Sequence, residues 1–168
     1  LGGPERAADL IGSVPLAAYT ATKLLWVRKN EPGVASQAVK VALPHDFLTL
    51  QLNTQNQLFT DHGEASGTAY YNTQKRQWEP AVAAWAIGHS IELPQLASPS
   101  QVIGKTASGA LIAPGTGDNM GAALGLNLQD GDAVISMGTS AVAMMLSDVA
   151  ATDSKNNVSG FADATGKY

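Results

Sequence analysis

The feature that most constrains this chain is an alternation of short apolar runs with small-residue helices, separated by glycine-rich turns. Residues 110–114 form one apolar run, and residues 119–126 follow as an Ala- and Leu-rich helical pattern. Two further apolar runs, residues 133–137 and 141–146, are joined by three small residues. Strands that alternate with helices are typical of α/β proteins. We therefore expect an α/β fold.

The first 90 residues carry mainly helical patterns. Residues 4–12 and 79–88 each have a proline near the start and a glycine at the end, as helices often do. Residues 20–30 carry apolar side chains on one broad face, and Pro32 follows them. Between these helices, residues 69–78 have the pattern of a short β-hairpin.

Composition argues against several classes of function. The 168 residues include no cysteine, which excludes a disulfide framework and a thiolate zinc site. Ten Lys and Arg against 14 Asp and Glu give a net charge of −4, so no basic surface for nucleic acid is expected. The apolar runs are much shorter than the roughly 20 residues of a membrane-spanning helix. We expect neither nucleic acid nor membrane as a partner.

The first candidate site is the segment Gly-Thr-Gly-Asp-Asn at residues 115–119, between an apolar strand and a helix. Ligands bind at such strand ends in α/β proteins. A carboxylate at Asp118 would stay ionised near the start of the helix and could accept a proton from a substrate hydroxyl. Two other interpretations stay open: Asp118 as a helix N-cap, or a dinucleotide-binding turn with the unusual spacing of Gly115, Gly117 and Gly121.

The second candidate site is the turn formed by Gly138, Thr139 and Ser140 between two apolar strands. A tight turn there would expose backbone N–H groups and two hydroxyls, which together could hold a phosphate group. The alternative is a hairpin turn without a ligand, because glycine and serine also favour turns for local reasons.

A third polar segment, DHGEASGT at residues 61–68, contains a serine, a histidine and two carboxylates. Its order is GxxSG rather than the GxSxG turn that carries a hydrolase nucleophile, which argues against a Ser–His–Asp triad. We expect a solvated loop with glycine turns instead. His45, which precedes Asp46, is expected to take part only in the local capping of the next helix.

Several segments in order are similar to one family. Residues 20–32 (TATKLLWVRKNEP) resemble the first signature of the FGGY carbohydrate kinases, which has Ser, Thr or Pro, then Lys, then Trp, then a polar pair. The likeness continues, in the order of the family, through residues 43–48, 60–68, 117–119, 137–140 and 161–166. Gly-Asp-Asn at residues 117–119 resembles the xylulokinase subgroup, whereas glycerol kinases carry Gly-Asp-Gln there.

The resemblance implies two ribonuclease-H-like domains of the actin/hexokinase superfamily, which close over a deep cleft. Residues 1–128 would then be the later part of the first domain, and residues 129–168 the beginning of the second. The first phosphate loop, part of the sugar pocket and the adenosine-binding segment of the family do not occur in the sequence. We therefore expect an internal segment of a longer kinase that is inactive by itself.

The resemblance also implies the reaction and its residues. The complete kinase would transfer the γ-phosphate of ATP, with Mg²⁺, to O5 of D-xylulose. Asp118 would be the general base and would bind the sugar together with Asn119, while Gly138, Thr139 and Ser140 would bind the ATP phosphates. No side chain is expected to ligate a metal directly. The resemblance further implies a cytoplasmic protein and is compatible with a homodimer.

Two alternative functions remain open at this level. One is another kinase of the same family, acting on gluconate, ribulose or glycerol. The other is a protein that keeps the fold and binds a sugar or a nucleotide but has lost catalysis.

Overall fold

The computed structural model describes residues 2–168. The helices in this range are α1 (Pro4–Ile11), α2 (Thr20–Asn30), α3 (Pro32–Ala35), α4 (Pro44–Leu52), α5 (His62–Ser66), α6 (Pro80–Ile87) and α7 (Asp118–Gly125). The strands are β1 (Phe59–Asp61), β2 (Tyr71–Asn72), β3 (Gln77–Trp78), β4 (Gln95–Ala97), β5 (Gly104–Lys105), β6 (Leu111–Ile112), β7 (Ala133–Met137) and β8 (Ala141–Met145). No helix among them is both long and apolar enough to cross a membrane.

Helices α2 and α6 form the centre of the larger hydrophobic core. Both begin and end as the sequence predicts: α6 has Pro80 in its first turn and ends at Gly88, whose φ of 102° favours glycine. The core contains buried residues from several elements: Ile11, Tyr19, Ala21, Ala69, Tyr70, Val82, Ala83 and Ala86. The small alanines of α6 allow α2 to approach closely, so this packing depends on side-chain volume.

Strands β1 and β4 form the parallel pair from which the candidate site extends. Phe59, Thr60 and Asp61 pair in register with residues 95–97 of β4. The chain between them passes through α5, a hairpin and α6, as expected for a parallel connection. The pairs β2–β3, β5–β6 and β7–β8 are all antiparallel. The predicted α/β class is confirmed.

Most predicted elements are confirmed close to their expected bounds. The helices expected over residues 4–12, 20–30 and 79–88 are α1, α2 and α6, and the hairpin expected over residues 69–78 is β2–β3. The strand expected over residues 110–114 is shorter, because only the two residues of β6 pair with β5. The proposed domain boundary after residue 128 stays a prediction.

The last residues of the chain return to the first half of the molecule. The backbone N–H of Ala162 donates to the hydroxyl of Ser66 over 3.0 Å. The guanidinium of Arg76 lies 4.9 Å from the ring centre of Tyr168, within the range of a cation–π contact. Residues 161–168 therefore pack against the segment that contains α5 and the β2–β3 hairpin.

We expect Ala83→Leu to destabilise the protein by about 1–3 kcal/mol, because Ala83 is fully buried between α2 and α6 and extra methylenes must displace neighbours. The matched control is Ala81→Leu on the exposed face of the same helix, which should change the free energy of unfolding by less than about 0.5 kcal/mol. Urea unfolding followed by circular dichroism measures both. Equal losses in the two variants would contradict the predicted packing.

Candidate active site

Asp118 is the first residue of α7 and is exposed. Gly117 occupies the N-cap position of α7, and no side chain within residues 2–168 caps this N-terminus. Within this same range, Oδ1 of Asp118 accepts only from the backbone N–H of Asn119, over 2.8 Å. The interpretation of Asp118 as an N-cap is therefore wrong. Its carboxylate stands at the exposed, electropositive end of a helix, where a negative charge is favoured.

The structure also contradicts a dinucleotide-binding turn. Such a turn follows a parallel strand of a βαβ unit, whose glycines let the pyrophosphate approach the helix. Here the preceding strand β6 has only two residues and pairs antiparallel with β5. Gly121 lies inside α7 rather than at its start.

The segment at residues 61–68 is not a solvated loop, and that expectation was wrong. Its first residue, Asp61, completes β1, and residues 62–66 form α5. Thr60 and Asp61 are 0% and 2% exposed. The segment is buried because β1 pairs with β4 on one side and packs against α4 and α5.

The carboxylate of Asp61 connects β1, α5 and the loop before Asp118. Oδ2 accepts from the N–H of Gly63 over 2.8 Å and from the hydroxyl of Thr116 over 3.1 Å. Oδ1 accepts from the N–H of Glu64 over 3.3 Å. Asp61 is thus the N-cap of α5 and, at the same time, the anchor of a residue two positions before Asp118.

His45 lies among three carboxylates. Its Nε2 is 2.7 Å from Oδ1 of Asp46 and 3.9 Å from Oδ1 of Asp61. Its Nδ1 is 3.7 Å from Oε2 of Glu64. The contact with Asp46 is close, although its alignment is not that of a regular hydrogen bond. The other oxygen of Asp46 accepts from the N–H of Leu43, as expected for a carboxylate that caps α4.

The electrostatics of this cluster favour a protonated His45. The adjacent Asp46 raises the pKa of His45 most strongly, Glu64 and Asp61 add to the increase, and burial opposes it. Burial raises the pKa of the Asp61 carboxyl despite its backbone hydrogen bonds. Burial also raises the pKa of Glu64. The charge of His45 lowers this pKa, and the charges of Asp61, Asp46 and Asp118 raise it further.

The loop before Asp118 fits closely against this cluster. A Cβ on Gly117 would lie 2.7 Å from Oε1 of Glu64, so a larger residue would displace the carboxylate. Gly115 has a φ of +82°, which favours glycine, and a Cβ there would lie 3.9 Å from Nε2 of His45. Gly117 is therefore required for the close approach of the loop to Glu64, whereas Gly115 is required for its backbone conformation.

The turn of Gly138, Thr139 and Ser140 connects β7 and β8, as the sequence predicts. The N–H of Gly138 donates to the carbonyl of Ser140 over 2.8 Å. The three residues are exposed, and the two hydroxyls make no hydrogen bond to any residue in the range 2–168. The role of the turn in binding phosphate stays a prediction.

The structure brings only part of the predicted site together. Asp118 and Asn119 are neighbours in the first turn of α7. No hydrogen bond or ion pair joins them to the 138–140 turn within the described range. The same range contains no group of three or more His, Asp or Glu side chains arranged to hold a metal ion.

Sequence reasoning missed His45, Asp61 and Glu64. A signal was present, because these three residues lie in the two family-like segments LPHDFL and TDHGEASGT. A chain with only 14% charged residues also places five ionisable side chains in these short segments, at His45, Asp46, Asp61, His62 and Glu64. Their partner in space, the 115–117 loop, is more than 50 residues further along and could not be found from local spacing.

The raised pKa of His45 predicts how stability depends on pH. A folded-state pKa above the unfolded value of about 6.5 means that the protonated ring stabilises the fold fully below that value. This contribution is lost as the pH rises through the folded pKa. The difference in melting temperature between the wild type and His45→Gln should therefore be largest at pH 6 and decrease towards pH 9.

The control for this pH series is His45→Lys, which keeps a positive charge throughout. Its melting temperature should fall less steeply than that of the wild type as the pH rises from 6 to 9. Differential scanning fluorimetry in buffers of constant ionic strength provides the measurement. A wild-type advantage over His45→Gln that is constant or grows with pH would contradict the charge assignment.

Comparison with known proteins identifies the family. The model of the FGGY family of carbohydrate kinases, N-terminal domain, matches residues 3–125. A xylulose kinase of Streptomyces coelicolor is 38% identical over the whole chain, and one of Streptomyces rubiginosus is 36% identical over the whole chain. The chain spans 36% of the length of each of these relatives.

Solved structures of similar fold point to the same family. The xylulose kinase of Bifidobacterium adolescentis superposes with a TM-score of 0.87 and 35% identity, over 98% of this chain and 39% of that one. The corresponding kinase of Brucella ovis gives a TM-score of 0.85 and 27% identity, over 96% of this chain and 37% of that one. The predicted actin/hexokinase-like fold is confirmed. From the family model and the similarity over its whole length, this chain belongs to the FGGY family of carbohydrate kinases.

Proposed function

We propose that the complete protein is an ATP-dependent kinase that phosphorylates D-xylulose at O5. The observation that carries this proposal is the exposed carboxylate of Asp118, at the first residue of α7, in a chain of the FGGY family. The similarity of the whole chain to proteins named xylulose kinase supports the choice of sugar.

Asp118 is the proposed general base. In the transfer, the O5–H bond of the sugar breaks as its proton passes to Asp118, while O5 forms a bond to the γ-phosphorus. The bond between that phosphorus and the leaving oxygen of ADP breaks at the same time. A base in this position contributes about 10²–10⁴-fold to the rate. The side chain is suited to the role because its carboxylate is exposed and, among the residues that the structure describes, is hydrogen-bonded only to the N–H of Asn119.

Asn119 is the proposed sugar-binding neighbour of the base. It follows Asp118 on the first turn of α7 and is exposed. Its side-chain amide offers both a donor and an acceptor, which suits the hydroxyls of a sugar. A residue that orients the sugar beside the base lowers the barrier by positioning rather than by chemistry.

The proposed phosphate-binding group is the turn of Gly138, Thr139 and Ser140. It fits ATP phosphates because it presents two exposed hydroxyls and a tight backbone. We propose Mg²⁺ as part of the MgATP substrate, since this ion is usually bound through phosphates, waters and one or two carboxylates rather than an all-protein cage. Bound in this way, it spreads the negative charge of the phosphates during the transfer.

The arrangement of the complete protein is part of the same proposal. Residues 1–128 would belong to the first domain and residues 129–168 to the second, with the base and the phosphate turn facing each other across a cleft. A cytoplasmic location and association as a homodimer complete the proposal. Size-exclusion chromatography with light scattering on the complete protein tests the dimer.

We expect Asp118→Asn in the complete protein to lower kcat by at least about 100-fold, because the amide cannot accept the proton of the sugar hydroxyl. The KM for ATP should stay within about twofold, since the substitution removes no group proposed to bind the nucleotide. ADP release measured with a coupled assay provides both constants. A variant that keeps more than about a tenth of the wild-type kcat would reject the base assignment.

The matched control is Asp132→Asn, which changes an exposed carboxylate that accepts only from the N–H of Gln129. It should retain wild-type kinetics. A substrate panel of D-xylulose, D-ribulose, gluconate and glycerol then tests the choice of sugar. A higher kcat/KM for D-ribulose, gluconate or glycerol would identify that compound, rather than D-xylulose, as the substrate. Binding of xylulose and ATP without turnover would indicate a non-catalytic protein.

A further inference from the structure

The loop that leads to Asp118 lacks backbone support. Residues 113–116 make no backbone hydrogen bond to any other part of the described chain. The next backbone bond, from the N–H of Gly121 to the carbonyl of Gly117, already belongs to α7. The direction in which α7 starts, and with it the place of Asp118, therefore depends on side-chain contacts.

Three side chains make those contacts, and each meets a different residue of the loop. Asp61 accepts a hydrogen bond from the hydroxyl of Thr116 over 3.1 Å. Glu64 lies so close to Gly117 that a Cβ there would stand 2.7 Å from its Oε1. His45 borders Gly115, where a Cβ would lie at the ordinary van der Waals distance of 3.9 Å from Nε2.

His45 is the only cation in this group. The charged groups that face it are Asp46 from its own helix α4, Asp61 from the end of β1 and Glu64 from α5. The loop adds no charge of its own before Asp118. The other nearby histidine, His62, is turned away and contacts the hydroxyl of Tyr71 over 2.6 Å. Without a charge on His45, Asp46, Asp61 and Glu64 repel one another at short range.

We propose that His45 is a positioning residue, whose contacts with Asp61 and Glu64 hold these two carboxylates against the 115–117 loop and so place Asp118 for proton transfer. The link to proton transfer rests on the proposed function; the placement of the loop does not. The raised pKa of His45 agrees with a ring that carries its charge near neutral pH. His45 acts through Asp61 and Glu64 and is not required to touch the sugar or the nucleotide.

The kinetic test uses the complete protein with His45→Gln, His45→Lys and the control His89→Gln. We expect His45→Gln to lower kcat about 10–100-fold with an unchanged KM for ATP, because misplacement of a reacting group costs rate rather than nucleotide binding. His45→Lys should recover most of the loss. The control should behave as wild type, since His89 contacts the carbonyl of Ala38 and is not paired with Asp46, Asp61 or Glu64.

A pH profile separates charge from shape. As the pH rises from 6.5 to 9, kcat of the wild type relative to His45→Lys should fall, because only the histidine loses its charge. A ratio that does not change with pH, or a His45→Lys variant as slow as His45→Gln, would overturn the proposal.

A second readout does not depend on activity. Hydrogen–deuterium exchange with mass spectrometry on the complete protein reports the backbone of the peptide that spans residues 118–128, whose amides from Gly121 onward are hydrogen-bonded in α7. At one pH, His45→Gln should exchange there several-fold faster than the wild type, while His45→Lys and His89→Gln should not. If His45→Gln fails to fold, Thr116→Val serves as the substitute test. It removes the hydrogen bond to Asp61 and should also make the peptide exchange faster.

The two readouts also distinguish the positioning proposal from the proposed function. If the complete protein phosphorylates none of the sugars in the panel but His45→Gln still exchanges faster in this peptide, only the proposed function fails. If the wild type is an active kinase and the exchange of the peptide is the same in all variants, the positioning proposal fails and the kinase assignment stands.

Discussion

The hydrogen bonds of the Asp61 carboxylate connect the parallel strand pair to the candidate site. One oxygen accepts from Gly63 and from Thr116, and the other accepts from Glu64. These contacts end β1, begin α5 and anchor the loop before α7. Because the side chain is almost completely buried, its carboxylate depends on these donors and would otherwise be left without partners away from water. Removing this one carboxylate therefore affects three segments at once.

The negative charges of the Asp61 and Glu64 carboxylates need a positive charge nearby. Burial raises the pKa of both Asp61 and Glu64, which means that their ionised forms are disfavoured where they stand. The protonated ring of His45 offsets part of this cost, and its own pKa is raised in return. This largely buried ion cluster beside the exposed carboxylate of Asp118 differs from the apolar core around α2 and α6, where the packing depends on side-chain volume.

Local structure could be predicted where short-range physics determines it. Pro80 in the first turn and Gly88 after the last one define α6 by the conformations that these two residues permit. The β7–β8 hairpin follows from two apolar runs with three small residues between them. The interpretation of residues 61–68 failed because polarity was taken to mean solvation. Those polar side chains are buried through partners from α4 and from the loop before α7, which local composition does not show.

The sequence by itself determined the class of fold, the order of most helices and strands, and the family, because these depend on residue patterns that are local or occur in a set order. It also placed Asp118 at the start of a helix. Only the tertiary structure decided that Asp118 is not a cap, that Asp61 is buried and that His45 faces three carboxylates. The reason is physical: burial and ionic contacts arise between residues such as Asp61 and Thr116, which are 55 positions apart, and only the folded chain brings them within 3.1 Å.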